Sequence, residues 1–520
     1  MSILESRFFY EFLGAVSAVG VIAILVWGKQ RYLYNGLRSL PSPQGGNWLF
    51  GNGPQILAAV KAKKYFKLLF DWAKELGPIY VYWVGNRPVV ILSDPKLIEN
   101  TIINGMKNGS LIRTERSSKA WNDISGPILL GTSGTEWQWR RKAWNLEFTP
   151  NAVAKYLPII DRACDRIIEK IKAAPSGSPV KADPLFVELT MRIISCLLLG
   201  VPVEKNSSSH EGPPLDVPRV YQAMSVLGYR FLKVAIGEKM WLKYLPTKSA
   251  REYWEARKYI EEFLTPRIDL ALQMRDNSDR DWSEVSPLFR ESMLVKIAAK
   301  EPKYDRAGLI AESIELLIAG TDTTAHSLSF ALSELSLNPK VAEKARNIVD
   351  RTWEKYGGIT SESFKELSYI GAIFKETLRL YPVANGSTSL EAKQNTPIED
   401  IFVAPRGTSI YWSVLAAGRD ERYYHNPEEL IPDRWLRTEE SQTLPLTIGF
   451  GSGLHRCLGE HLSLLEGTMM LAMLLRYFDW ELVNSGSSLE NLQHNLLVFP
   501  VDGMPVKFKQ RELFAPNRVS

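Results

Sequence analysis

Cysteine is scarce in this chain, which has three thiols spread over 520 residues. That number excludes the dense disulfide framework of a small secreted domain and any metal site that needs four thiolates. The chain also lacks a strong excess of one charge, because it has 63 Lys and Arg and 58 Asp and Glu. The resulting net charge of +5 does not indicate nucleic acid as a partner. Repeats of fixed period and long low-complexity tracts are absent too. With 45% hydrophobic residues, the sequence indicates a large globular protein in which a functional cysteine acts alone.

A long apolar run lies near the N-terminus. Phe12–Trp27 carries no charge, and the wider stretch Phe8–Trp27 has the roughly 20 apolar residues that span a bilayer. Basic residues follow it, and the positive-inside rule then places the rest of the chain in the cytoplasm. A cleaved signal peptide is the alternative, but Glu5 offsets Arg7 and no small-residue cleavage site follows. We therefore expect a membrane anchor over residues 1–28 and a basic, Pro/Gly-rich hinge over residues 29–54.

Helical periodicity dominates the remainder of the chain, residues 55–520. Helices are predicted over residues 153–174, 185–199, 250–273, 307–337, 339–356, 369–380 and 459–478. Short β-rich runs are predicted over residues 79–83, 89–92 and 409–411. Strands and helices do not alternate, so the pattern indicates a mainly α protein with small β-sheets and one large domain.

The segment Phe450–Gly459, FGSGLHRCLG, places Cys457 in a glycine-rich loop ahead of a helix. Its glycines allow tight turns with positive φ, and a helix N-terminus favours thiolate, which is what an iron ligand requires. Two alternatives remain at this point. The first is that Cys457 is a buried structural cysteine rather than an iron ligand. The second is a zinc site formed with His455 and His461, although that cluster lacks a fourth ligand.

Charged side chains in two other segments point to a buried network. Glu376 and Arg379 are three residues apart in a predicted helix and can pair. A surface pair of this kind contributes little. Arg434, in Pro432–Trp435, is the second cation that could fix them in place.

Two helical segments carry polar side chains suited to a ligand. Ala319–Ser327, AGTDTTAHS, interrupts a long apolar helix with Asp322 and Thr323, which predicts either a local bulge open to a cavity or a notch for helix packing. Trp137 and Arg141 are four residues apart, which suits an anionic carboxylate or a simple packing of Arg over Trp.

Together and in their order along the chain, from Trp137 and Arg141 to the Cys457 loop, these motifs resemble the cytochrome P450 family of haem-thiolate monooxygenases over essentially the whole chain. The anchor and hinge are similar to those of its membrane-bound members. The resemblance implies a P450-type fold with haem b as cofactor and Cys457 as the axial ligand of the haem iron. It implies that Phe450 packs near that ligand and tunes the thiolate, and that Gly453 and Gly459 shape the loop.

The resemblance also assigns roles to the other motifs. Asp322 and Thr323 would be catalytic and would handle protons on the distal side. The remaining assignments are haem-propionate partners at Trp137, Arg141 and His455, and a structural triad of Glu376, Arg379 and Arg434. The sequence departs from the family at two places: His455 stands where an arginine is usual, and Lys393 is the only cation between Val383 and Asn395, where a further propionate arginine is common.

The implied activity is insertion of one oxygen atom from O2 into a lipophilic small molecule such as a terpenoid, sterol, carotenoid or fatty acid. Candidate substrate contacts are the loop 110–130 and the residues Leu316, Leu317, Val383, Ala384 and Phe499. The alternatives are a haem-thiolate isomerase or dehydratase that acts on peroxides, and a non-catalytic membrane haem protein.

The partners follow from the same resemblance. NADPH would supply electrons through a separate donor, either a cytochrome P450 reductase or a ferredoxin-type protein. Arg140, Lys142 and Arg456 either add positive charge for docking that donor or are ordinary solvated charges. The location would be a membrane, crossed once, with the catalytic domain in the cytoplasm; in a eukaryote it would be the endoplasmic reticulum.

Overall fold

The computed structural model describes residues 28–29, 32–175, 177–204, 211–235, 237–385, 389–436, 448–484, 486 and 491–512. The predicted anchor, Phe8–Trp27, lies outside these ranges. Within them, no helix is both long enough and apolar enough to cross a bilayer.

Helices make up most of the described chain. They are α1 (Gly53–Lys61), α2 (Tyr65–Leu76), α3 (Pro95–Lys107), α4 (Glu115–Ile124), α5 (Gly134–Asn145), α6 (Pro150–Ala154), α7 (Leu157–Ala173), α8 (Ala182–Leu199), α9 (Val217–Ala235), α10 (Lys248–Asp276), α11 (Pro287–Arg290), α12 (Met293–Lys300), α13 (Arg306–Leu337), α14 (Pro339–Tyr356), α15 (Ser368–Leu380), α16 (Val414–Ala417) and α17 (Glu460–Tyr477). The prediction of a mainly α protein is confirmed.

The strands are short and form small sheets. They are β1 (Ile79–Val84), β2 (Arg87–Leu92), β3 (Leu111–Arg113), β4 (Pro179–Lys181), β5 (Leu390–Ala392), β6 (Thr396–Ile398), β7 (Phe402–Ala404), β8 (Ser409–Trp412), β9 (Phe478–Leu482), β10 (Leu492–His494), β11 (Val498–Pro500) and β12 (Pro505–Gln510). A five-stranded sheet has the order β1-β2-β8-β5-β3, in which β1 and β2 are antiparallel and β2 and β8 parallel. The other sheets are β4-β12-β9, β10-β11 and β6-β7.

The chain divides into two compact units. The first comprises the described residues before 113 together with 389–413, and it contains the five-stranded sheet apart from Arg113, the last residue of β3. The second comprises the remaining described residues. It includes α4–α17, and all the predicted site residues with a described position lie in it.

The core of the second unit forms around α13. Its first turn is capped by Asp305, whose carboxylate accepts from the Gly308 N–H, and most of its 32 residues are buried. Helix α8 packs along it. A side chain at Gly320 would meet Ile194 of α8 at 3.0 Å, so the glycine permits this close approach. The segment thus serves as a packing notch, one of the two roles that its composition predicts.

Candidate active site

The loop before α17 holds Cys457 in a tight turn. Gly451 and Gly453 have φ of +72° and +64°, values that favour glycine. Gly459 differs from the prediction, because it has φ −85° and serves as the N-cap of α17. The Cys457 N–H donates to the Phe450 carbonyl over 2.7 Å, which closes the loop.

The thiol of Cys457 is both accessible and desolvated. Its side chain is accessible, yet desolvation raises its pKa; the Gly459 N–H and the charges of Arg141 and Arg456 oppose that rise. A group that is accessible and desolvated at once lies in a concavity. Metal coordination deprotonates such a thiol outright, because the ion supplies the missing charge. The site therefore fits a thiolate ligand to a metal.

The two alternatives for Cys457 find no support. Cys164 and Cys196 are the buried thiols, and burial raises the pKa of Cys196 to about 12. His461 is exposed on α17. In the described part of the chain, no three side chains among His, Cys, Asp and Glu converge as metal ligands.

His455 and Trp137 stack beside this loop. Their ring centroids are 4.0 Å apart and the planes are inclined by 18°. Arg113 Nη2 lies 2.8 Å from His455 Nδ1, and a guanidinium can only donate, so we assign Nδ1 as acceptor and Nε2 as the protonated nitrogen. Burial, and then the charges of Arg113 and Arg141, lower the pKa of His455 to about 3. The histidine therefore contributes a donor rather than a positive charge.

Arg113 supplies the charge that His455 lacks. Arg113 is buried, and desolvation lowers its pKa to about 10. The charge of Glu315 raises this pKa, and the charge of Arg141 lowers it. No motif pointed to this residue, and its place at the end of β3 is its only local signal. Two guanidinium groups and two ring donors around an accessible thiol fit a flat ligand with carboxylates, such as haem.

The structure joins Glu376, Arg379 and Arg434 at α15, the helix that packs against α17. Arg379 binds the Glu376 carboxylate through two bonds of 2.9 and 2.7 Å, and Arg434 Nε reaches it at 3.2 Å. Trp435, which sequence reasoning missed, donates to the same carboxylate over 2.7 Å. Glu376 is completely buried, so this is an interior network rather than a surface pair.

On α13, two hydroxyls of the AGTDTT segment turn back onto their own helix, whereas Thr324 Oγ1 donates to Ser463 Oγ of α17 over 2.9 Å. Thr323 Oγ1 donates to the Ala319 carbonyl over 2.8 Å, and Thr321 to Leu317 over 2.7 Å. The helix runs unbroken from Arg306 to Leu337, so the predicted bulge does not form as a break. Burial raises the pKa of Asp322, whose carboxylate faces Tyr221 and His326.

The candidate substrate contacts differ in exposure. Leu316, Leu317 and Val383 are buried, whereas Ala384 and Phe499 are partly accessible. The Val498 N–H donates to the Val383 carbonyl over 2.9 Å, and this bond connects β11 to the segment that follows α15.

The expectation that Arg140 adds charge for docking is wrong. Arg140 is buried and binds Glu312 at 2.6 Å and Glu136 at 2.8 Å, because the helix turns this position toward α13. Arg456 is neutralised by Glu460 at 2.5 Å. Lys142 alone of the three predicted cations is exposed without a described ion pair.

A thiol loop at the N-terminus of a buried helix, guanidinium groups around the thiol and a long helix with paired Asp and Thr define a haem-thiolate enzyme. A sequence model described as cytochrome P450 matches residues 41–508. The chain therefore belongs to the cytochrome P450 family. It is a P450 monooxygenase, and its family uses haem b with electrons from NADPH delivered through a redox partner.

Curated relatives are similar over most of the chain. Cytochrome P450 3A12 of Canis lupus familiaris is 25% identical over 412 residues, which cover 78% of this chain and 79% of that protein. Cytochrome P450 302a1, mitochondrial, of Drosophila melanogaster is 26% identical over 71% of this chain and 73% of its own length. Putative cytochrome P450 cyp-13B1 of Caenorhabditis elegans is 24% identical over 90% of this chain and 94% of its own.

Proposed function

We propose that this P450 is membrane-anchored and inserts one oxygen atom from O2 into a lipophilic small molecule, with electrons from a separate reductase. The observation that carries the proposal is the accessible thiol of Cys457 among Arg113, Arg141, His455 and Trp137. Bound haem supplies the oxygen-activating chemistry at such a site.

The residues of this loop would hold the cofactor. Cys457 would ligate the haem iron through its sulfur, whose pKa is lowered by the Gly459 N–H. Arg113 and Arg141 would pair with the two haem carboxylates, and His455 would donate through Nε2. Phe450 and Gly453 set the loop backbone, since the Phe450 carbonyl accepts from Cys457 and Gly453 supplies a positive φ.

Asp322 and Thr323 would hold and move protons on the distal side. The raised pKa of Asp322 brings this carboxyl nearer to neutral pH than a solvated one, which suits a group that must both take up and release a proton. The Thr323 hydroxyl, while it donates to Ala319, keeps its lone pairs as acceptors.

The acid and threonine together favour O2 activation over peroxide isomerisation. Haem-thiolate enzymes that rearrange peroxides need no proton delivery to oxygen, whereas this chain keeps both side chains on α13. A non-catalytic haem protein would need neither. NADPH-dependent O2 consumption in the presence of an apolar substrate separates the monooxygenase from both alternatives, and hydroperoxide turnover without reductant would favour the isomerase.

The substrate class rests on the apolar anchor and on apolar side chains near α13. An anchored enzyme meets molecules that partition into the bilayer, which favours terpenoids, sterols, carotenoids or fatty acids. A reductase or ferredoxin-type donor would dock near Lys142.

The deciding experiment is a reduced-CO difference spectrum of the wild type, Cys457→Ala and Cys196→Ala. The wild type and Cys196→Ala should share the Soret band of a thiolate-ligated haem, because Cys196 is a core thiol. Cys457→Ala should lose that band. The same band in Cys457→Ala would refute the assigned ligand.

A further inference from the structure

A second polar cluster lies on α13 one turn beyond Asp322. His326 Nδ1 is 2.8 Å from Asp183 Oδ1, at the start of α8, and Ser329 Oγ donates to the same oxygen over 2.7 Å. The His326 side chain is buried, whereas Asp183 keeps 12% of its side-chain exposure. The pair therefore leads from the edge of the fold into its interior.

Asp322 lies on the same side of α13 as His326, because residues four apart share a helix face. The charges that face His326 are Asp183 from α8 and Asp322 from α13. Tyr221 of α9 faces Asp322, and the apolar ring of Phe499 in β11 lies 6.1 Å from the imidazole. One histidine thus stands between two buried carboxylates.

Asp322 itself has an unusual feature. Its Oδ1 is buried and has no hydrogen-bond partner among the described residues. A carboxylate oxygen left in this way is costly unless a cation or a proton compensates it. Among the described residues, His326 is a cation that acts on the Asp322 carboxylate, where its charge favours the ionised form. The cluster therefore affects Asp322 as well as joining α8 to α13.

We propose that His326 and Asp183 form the proton supply of Asp322, so that His326 is a positioning residue for oxygen activation. The proposal rests on the proposed monooxygenase function and extends it to residues outside the Asp–Thr pair. In this relay, imidazolium Nε2–H releases its proton to the Asp322 carboxylate. The neutral ring keeps Nδ1–H on Asp183, and water returns one proton to Nε2, so the cluster ends in its starting state.

The first test measures the titration of His326 directly, without turnover. Holoenzyme in the reduced CO form, with 13C-labelled histidine, is titrated by NMR, and the His326 resonance is identified by its loss in His326→Asn. We expect a His326 pKa above that of free histidine, and a shift downward in Asp183→Asn. A His326 pKa that Asp183→Asn does not change would overturn the relay.

The second test measures electron use with purified reductase. At neutral pH, His326→Asn should lower the NADPH oxidation rate by about a hundredfold, the lower end of what a positioned proton donor contributes. It should also raise the share of electrons released as hydrogen peroxide and change the pH profile and the solvent isotope effect. Thr190→Val is the matched control, since Thr190 Oγ1 makes another polar contact between α8 and α13, to the Thr321 carbonyl, and carries no titratable group. It should keep the wild-type pH profile and isotope effect.

The outcomes separate this proposal from the proposed function. If His326→Asn keeps the thiolate-type CO spectrum but has the wild-type isotope effect and peroxide yield, the relay is refuted and the monooxygenase stands. If the wild type itself lacks that spectrum, the proposed function fails first. Should His326→Asn not fold, the solvent isotope effect and the peroxide yield of Asp183→Asn decide the matter alone.

Discussion

At the residue scale, Glu376 is a buried carboxylate that accepts hydrogen bonds from four different residues. It accepts from Arg379, Arg434, Trp435 and the Ile431 N–H. Replacing it with Gln would leave buried guanidinium charge uncompensated, which costs about 3–5 kcal/mol. We expect Glu376→Gln to lose that much stability in chemical denaturation and to retain less haem on purification.

The control for this variant is Glu284→Gln. Glu284 pairs with Arg280 at 2.9 Å, but both side chains are more than half exposed. Such surface pairs contribute about 0–1 kcal/mol, so this variant should denature close to the wild type. Equal losses in the two variants would contradict the interior role of Glu376.

Single residues were predictable where local spacing carried the signal. The i,i+3 spacing of Glu376 and Arg379 and the glycines around Cys457 are visible in the sequence. Arg113 and Trp435 were not, because their contacts join segments that are far apart in the chain: Arg113 meets His455 across 342 positions. The inward turn of Arg140 depends on Glu312, 172 residues away, and local pattern contains no such information.

At the scale of elements, α15 and α17 pack unusually close. A Cβ on Gly467 of α17 would lie 2.7 Å from the Phe374 ring of α15. In a helix, Gly→Ala normally stabilises by about 1 kcal/mol, but overpacking of a core costs about 1–3 kcal/mol. We expect Gly467→Ala to be destabilising on balance, measured as a lower thermal midpoint.

Gly228→Ala is the matched control, because Gly228 lies inside α9 and its nearest neighbour would be 3.8 Å from the new methyl group. This variant should be neutral or more stable than the wild type. If Gly467→Ala were also stabilised, the close packing of α15 on α17 would not limit stability.

The helix pair α8 and α13 should make stability depend on pH. Asp183 raises the pKa of His326 to about 8, despite opposing burial. Because the folded protein binds this proton more tightly than the unfolded chain, the stabilisation is present in full below pH about 6.5 and is lost as pH rises through about 8. The difference corresponds to about 2 kcal/mol.

Denaturation midpoints of the wild type and His326→Asn between pH 6 and 9 measure this effect. The wild type should lose stability relative to the variant across that interval, and Thr190→Val should keep the wild-type slope. Parallel curves for the wild type and His326→Asn would show that the pair does not titrate in this range.

Elements were predicted well where apolar periodicity was strong, and boundaries were not. The prediction over residues 339–356 matches α14 to the residue. The prediction over residues 153–174 is interrupted, since α6 ends at Ala154 and α7 begins at Leu157 with Pro158 in its first turn, where a missing N–H is tolerated. Helix α9, which supplies Tyr221, was missed altogether, although its buried positions follow a helical period.

At the scale of the whole molecule, the proposed anchor sets how the protein is held in its membrane. Deleting residues 1–28 removes the stretch Phe8–Trp27, which has the roughly 20 apolar residues that a span needs. The full chain should resist carbonate extraction from membranes, and the truncated chain should be released with its thiolate-type CO spectrum intact. Full-length protein that carbonate extracts would contradict the anchor.

The fold class was accessible from composition and periodicity, whereas the large domain over residues 55–520 remains a prediction. The division into two compact units arises from strand β8 and its neighbours joining β1 and β2, more than 300 residues earlier in the chain. Pairing over such a distance leaves no mark on local pattern. The identity of the substrate cannot be read from local pattern either, because it depends on which side chains from distant segments meet around the cofactor.

The unequal accessibility of the three thiols provides a loading assay. Cys164 and Cys196 are buried, and only Cys457 is accessible. In folded protein a maleimide should therefore attach at one position, and haem seated on that sulfur should block it. The fraction of chains that resist labelling would then count the fraction of active sites that are filled, independently of any optical signal and before a substrate is known.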